Sequence, residues 1–124
     1  MIRLIVVFDT NALLMPFEFK VDPYKGVKDL VANAELVTLN VCVNELKGLK
    51  PRKWGDILSL GINNGLKVIE YTVNNLSVDD LIVEYAKKHK CLVLTQDKLL
   101  RKKLKNSCLR VVILRQKKRF IIIG

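Results

Sequence analysis

Apolar residues run almost unbroken from Ile2 to Phe8 and are rich in β-branched types, the pattern of a strand buried on both faces. The run stops at Asp9. Asn11 to Met15 has the makings of a helix, but Pro16 lacks the N–H that a helix interior uses, and Phe17, Phe19 and the Asp22-Pro23 pair predict a loop from Pro16 to Pro23. Val27, Leu30, Val31 and Ala34 recur at helical spacing within Tyr24 to Ala34, and Leu36 to Leu39 reads as a second strand. Asn40 stands where an N-cap belongs, ahead of a helix from Val41 to about Leu49 that Pro51 terminates. A short helix over Trp54 to Gly65 closes on Asn63-Asn64-Gly65, and a third strand follows over Leu66 to Tyr71. Ser77 opens a helix that runs through Lys90; Cys91 to Thr95 and Leu109 to Leu114 then read as strands on either side of a basic helix.

This alternation predicts an α/β fold, a three-layer α/β/α sandwich around a central, mainly parallel five-stranded sheet. At 124 residues, half of them apolar, one domain spanning residues 1–124 is expected. The apolar stretch from Leu4 to Phe8 is shorter than the roughly 7 to 15 residues of a secretory signal. No run approaches the ~18 residues of a membrane span. Cys42, Cys91 and Cys108 are odd in number, far apart and flanked by aliphatic residues, so they read as free thiols in the core of a cytoplasmic protein.

Charge changes the picture. Between Lys98 and Arg119 lie ten basic residues and no acidic one, while the remaining chain carries twelve of each sign; the whole net charge of +10 therefore sits in that stretch. A field of one sign suits a polyanion, whose condensed counterions are released on binding, and it points to nucleic acid.

Four carboxylates stand where chemistry is expected. Asp9 and Asp97 each follow a buried strand, Asp97 also being placed to cap the basic helix. Glu45 falls within the arc of Val41, Cys42, Leu46 and Leu49, where a carboxylate needs a cation or a hydrogen-bonding partner. Asp79 flanks the face of Val78, Ile82, Tyr85, Ala86 and His89; Asp80 points away from it and completes an S-x-x-D capping box with Ser77, which leaves it as the fallback. Like charges ~5 Å apart repel by about 3 kcal/mol at an effective dielectric of 20, so such a cluster calls for a hard divalent ion such as Mg²⁺ or Mn²⁺. Zinc fits poorly: His89 is the one histidine, on an apolar side near a helix end, and the cysteines lack finger spacing.

Taken in order, "VFDTNALL", "VNEL", "DDLIVEYAKKHKCLVLTQD" and a final strand resemble the PIN-domain ribonucleases over essentially the whole chain. Asp79 precedes Asp97 by eighteen residues with Ile82 and Ala86 in the apolar slots, as in that family's D-x-x-I and T-x-D pattern. "DTNALLMPFEFKVD" and "TQDKLLRKKL" followed by "LRQKK" are most similar to the small archaeal, VapC-like branch, itself similar to eukaryotic nucleases of small-subunit ribosomal RNA processing. The resemblance implies hydrolysis of RNA phosphodiesters, in rRNA processing or as a toxin, with ribosomal RNA, its precursor or transfer RNA as substrate, an antitoxin protein as partner of a toxin, and a homodimer. The segment from Lys50 to Gly65 is short against many members, so substrate contacts there are not carried over.

A metal route also follows from chemistry, since a metal-free ribonuclease needs a general acid and a general base and one histidine cannot be both. The expected catalytic and metal-holding residues are Asp9, Glu45, Asp79 and Asp97, with Thr10, Asn11 and Thr95 orienting ligands or waters. Lys98, Arg101, Lys102, Arg115, Lys117, Lys118 and Arg119 are expected to grip phosphates. Two rivals are a non-catalytic RNA-binding subunit of the same fold and a haloacid-dehalogenase-type phosphatase. The latter wants a second Asp two residues after the first, where Asn11 stands. The closing "FIIIG" reads as an edge strand open to a second copy.

Overall fold

The computed structural model describes residues 3–124. The first strand, β1, covers Ile5–Phe8, so it starts later than the apolar run suggests, and Ile2 lies outside the described residues. Its alternate side chains serve two cores. Val6 and Phe8 enter one with Leu13, Met15, Tyr24 and Ile57; Val7 enters the other with Ile82, Ala86, Leu100 and Leu104. A strand apolar on both sides is what a sheet with helices on both faces requires.

Helix α1 (Thr10–Glu18) and helix α2 (Pro23–Leu30) lead to strand β2 (Glu35–Leu39). Pro16 lies inside α1, contrary to the predicted loop: the proline forgoes one helix bond, but Ala12, Leu13, Leu14 and Met15 are buried along the helix and hold it through Glu18. The loop shrinks to Phe19–Asp22, whose last residue caps α2 through its carboxylate. Phe17 is 50% exposed.

Helix α3 (Asn40–Leu49) follows β2 directly, and Asn40 is its first residue rather than its cap. The Asn40 side-chain oxygen instead accepts from the Tyr71 N–H at 3.0 Å, tying the start of α3 to the chain beyond strand β3 (Lys67–Ile69). Helix α4 (Trp54–Asn63) precedes β3, and helix α5 (Val78–His89) follows it. His89 is exposed, its ring tilted against Tyr85 at 4.4 Å between centroids. Strand β4 (Leu92–Leu94), helix α6 (Lys98–Asn106) and strand β5 (Val111–Arg115) come next. "RFIII" forms a sixth strand, β6 (Arg119–Ile123), returning antiparallel to β5. Cys42 and Cys91 are buried as expected; Cys108, in the turn after α6, is exposed.

The sheet order is β3-β2-β1-β4-β5-β6, parallel except for β6. The chain winds outward from β1 through β2 and β3, then crosses back to lay β4 on the other side of β1. In open α/β sheets that reversal opens a crevice at the carboxyl ends of the two central strands. Here those ends deliver Asp9 and Thr95. Among the described residues no helix is long and apolar enough to cross a membrane.

Candidate active site

Asp9 is the residue immediately after β1 and is only 4% exposed. Its main-chain N–H reaches the Leu94 carbonyl of β4 at 3.4 Å, so the two central strands are still joined where its side chain turns into the crevice. One carboxylate oxygen accepts the Ala12 N–H at 2.7 Å and caps α1; the other accepts the Thr95 hydroxyl. Thr95 is wholly buried, and its oxygen also accepts the Asp97 N–H at 3.0 Å. A single hydroxyl thus joins the two acidic residues that end β1 and follow β4. Gln96, between them, is pinned to β5: its amide nitrogen donates to the Leu114 carbonyl at 3.0 Å and its amide oxygen accepts the Leu114 N–H at 2.7 Å. Asp97 caps α6, accepting from the N–H groups of Leu99 and Leu100.

A cleft of about 440 Å³ opens over these residues. It is lined by Asp9, Thr10, Asn11, Glu45, Asp79 and Asp97, together with Ser77, Val78, Ile82 and Lys103. All four predicted carboxylates therefore reach one space, as do two of the three residues expected to orient ligands, while Thr95 lies beneath the floor bonded to Asp9. Thr10 is buried, its hydroxyl 3.4 Å from the Cys42 carbonyl of α3. Glu45 is exposed rather than set into the core, because the inward positions of α3 are Cys42, Val43 and Leu46 and the helix turns its next face to the open cleft.

Asp79 and Asp80 part company on α5. Asp79 lines the cleft; Asp80 turns to Lys103 of α6, whose ammonium donates to it at 3.0 Å. Ser77 caps the helix by accepting the Asp80 N–H at 3.1 Å.

The field in the cleft is that of crowded anions. Burial first of all, with the charges of Asp79 and Asp97 adding to it, pushes the Asp9 carboxyl up to about 7, against the hydrogen bonds from Thr95 and Ala12. Asp79 is also raised, by burial and then by Asp97, although Lys103 opposes the shift. Asp80 is lowered by its hydrogen bond from Lys103. Among the described residues, no three His, Cys, Asp or Glu side chains stand close enough together to enclose a metal ion. The donor set nevertheless fits one kind of cation. Spaced carboxylate oxygens around an open, polar cleft suit a hard ion that keeps several waters, and not one that demands a closed protein cage.

The other predicted residues divide into two groups. Lys98, Arg101 and Lys102 line, with Lys105, a separate groove of about 430 Å³ between α6 and the ends of β5 and β6. Arg115 and Arg119 are the paired ends of β5 and β6, and Lys117 and Lys118 lie in the turn between them, where Gln116 and Lys117 both take left-handed backbone angles to reverse the chain. Parallel register through Phe8, Leu94 and Val112 puts that turn at the same end of the sheet as Asp9. Lys103 is the cleft residue that sequence reasoning missed. The signal was available: at 100° per residue Lys98, Arg101, Lys102 and Lys105 share one side of α6, and Lys103 falls on the opposite flank of the buried Leu100 and Leu104.

Fold and cleft together define a doubly wound α/β domain with a carboxylate-lined crevice at its switch point. The chain belongs to the PIN-like domain family, whose model, described as "PIN like domain", matches residues 6–117. It is 34% identical over 128 residues to Ribonuclease VapC4 of Methanocaldococcus jannaschii, an alignment covering 96% of each chain. Among solved structures it is similar to the PIN domain endonuclease Utp24, with a TM-score of 0.80 and 21% identity over 95% of this chain and 90% of that one. It is also similar to a PilT N-terminus domain protein from Sulfolobus solfataricus, with a TM-score of 0.59 and 15% identity over 92% of this chain and 90% of that one.

Proposed function

We propose that this domain is a divalent-metal-dependent endoribonuclease. The observation that carries the reading is the lining of one crevice by Asp9, Glu45, Asp79 and Asp97, delivered from the end of β1, the side of α3, the first turn of α5 and the cap of α6. The names of the relative in Methanocaldococcus jannaschii, a ribonuclease, and of the structural neighbour, an endonuclease, support the same reaction class.

Mg²⁺ or Mn²⁺ would be held among these four carboxylates in part through its own waters, since no three of them stand close enough to enclose it; when bound, such an ion supplies a lowered pKa for a neighbouring water and positive charge against the phosphate. Asp9 keeps free lone pairs on both oxygens after accepting from Ala12 and Thr95, so it would hold a cation while still capping α1. Thr95 fixes the Asp9 carboxylate in orientation, and Thr10 and Asn11 position what enters beside it. In the hydrolysis a water oxygen adds to phosphorus, the bond to the leaving ribose oxygen breaks, and that oxygen takes up a proton. The strand of RNA beyond the cleft would be held through its phosphates by Lys98, Arg101 and Lys102 and by the turn from Arg115 to Arg119, contacts that set affinity with little sequence preference.

Incubation of the protein with structured and single-stranded RNA and Mn²⁺ tests the assignment: cleavage is expected, and it should vanish on chelation and in Asp9→Asn. Cleavage that survives both overturns it. The spacing of the carboxylates also favours one alternative, an RNA-binding subunit whose acidic crevice is structural. Titration with Mn²⁺ under thermal unfolding separates the two, since only a metal site raises the midpoint. A role in ribosomal RNA processing and a role as a toxin are distinguished by the neighbouring gene, which in the second case is a small antitoxin gene.

A further inference from the structure

The acidic crevice contains one basic side chain among the described residues that line it, Lys103. Its ammonium is held by Asp80 at 3.0 Å, and both side chains of the pair are nearly half exposed, at 45% and 46%. An ion pair so open to water is weak, so it holds the lysine in place without fixing it there. The four-carbon stem lets the charge leave Asp80 for a stronger anion a short distance away. Lys103 already lies in the field of Asp79 and Asp97, on the cleft's own wall. One turn earlier on the same flank of α6, Leu99 is 70% exposed, so this flank is open to an incoming chain.

A carboxylate cluster attracts cations but repels the polyanion it is to cut, and a positive group that faces the reacting phosphate answers that conflict. We propose that Lys103 is the residue that contacts the phosphate undergoing cleavage, resting on Asp80 in the free protein, and that Asp80 is its positioning residue. The proposal rests on the nuclease reading above. It separates Lys103 from the other basic residues: those grip the RNA at a distance, whereas Lys103 acts where charge develops.

The position has an opposite consequence for metal binding. A positive charge beside the carboxylates opposes a second cation, so its removal should strengthen metal affinity while it weakens the reaction. A purely structural lysine would not move the two in opposite directions.

The test compares the full chain with Lys103→Met, Lys103→Arg and Asp80→Asn. Mn²⁺ affinity is measured by calorimetry without RNA, and single-turnover RNA cleavage at saturating Mn²⁺. Lys103→Met is expected to bind Mn²⁺ about threefold or more tightly, because a like charge has gone, and to cleave about a hundredfold more slowly, the usual cost of deleting one donor to developing charge. Lys103→Arg should recover most of the rate, and Asp80→Asn should fall between. The proposal is overturned if Lys103→Met cleaves within about threefold of the parent, if metal affinity and rate fall together, or if Lys103→Arg gives no rescue in a folded protein. Should the parent itself fail to cleave any RNA with Mn²⁺, the nuclease reading fails separately. Inorganic phosphate binding to the Mn²⁺-treated parent and Lys103→Met then decides the lysine's role, weaker binding in the variant keeping it and equal binding removing it.

Discussion

At Asp9 a structural bond and a buried charge share one side chain. The carboxylate caps α1 and accepts from Thr95, both of which favour ionisation, yet burial outweighs them and raises its pKa from 3.8 to about 7. A folded value above the unfolded one means the native state holds the proton more tightly. The stability Asp9 contributes is therefore complete below about pH 4 and is lost as the pH rises through about 7. In chelator, the native protein should lose thermal stability between about pH 4 and about pH 7 relative to Asp9→Asn, which has no such proton to give up. A parent-to-variant difference that stays flat across that interval removes the assigned shift.

Thr95 was legible in the sequence as a neighbour of Asp97, but its bond to a residue 86 positions away was not, because only the adjacency of β1 and β4 creates it. Glu45 was read as core-facing from its helical arc. Periodicity measures which residues share a side, and here that side of α3 passes from packed core to open cleft within one turn.

At the scale of elements, Asp97 divides into a cap and a charge. Asp97→Ala should cost about 1 kcal/mol through the lost bonds to Leu99 and Leu100. Asp97→Asn keeps a capping oxygen, so its unfolding midpoint should stay close to the parent's while activity falls. Equal destabilisation by the two would deny the capping role, and unchanged cleavage by Asp97→Asn would deny the catalytic one.

Helix α2 rests on β6 with no side chain at Gly26: a Cβ there would come within 2.3 Å of the Phe120 ring. Gly26→Ala should therefore displace Phe120 and cost about 1 to 3 kcal/mol, the range for forced overpacking, despite alanine's better helix propensity. A stabilised variant in urea unfolding would show that the ring yields freely. The strands, α5 and α6 were readable from apolar runs and caps because those signals are local. Helix α1 was not, since Pro16 weighs against it locally and the burial of Ala12 through Met15 that outweighs it is a property of the assembled core.

Across the whole molecule, acidic crevice and basic surface are separate regions joined by α6 and β5. Arg115 ends β5, and Lys117 and Lys118 stand just beyond it, at the sheet end that carries the crevice. Lys117→Ala should weaken RNA binding to a similar degree for every sequence and lower the slope of log affinity against log salt by about 1. Sequence-selective weakening, or an unchanged slope, would place that residue away from phosphate. Among the described residues the edge of β6 has no strand beyond it in the sheet, and unpaired edges invite pairing. A homodimer through that edge is expected to give twice the chain's mass in sedimentation at micromolar concentration; a mass of 14.2 kDa rules it out. Net charge was legible from composition alone, but that it divides between a groove, a turn and the crevice that holds Lys103 needed the third dimension.

The double use of Asp9 sets how this fold can change over generations. Aspartate and asparagine codons differ by one nucleotide. Asparagine at position 9 keeps an oxygen for the Ala12 N–H and turns an amide toward the Thr95 hydroxyl, which can accept as readily as donate. Under the nuclease reading proposed above, one substitution would remove the chemistry and leave both bonds in place, so an inactive descendant would lie a single mutational step from an active one.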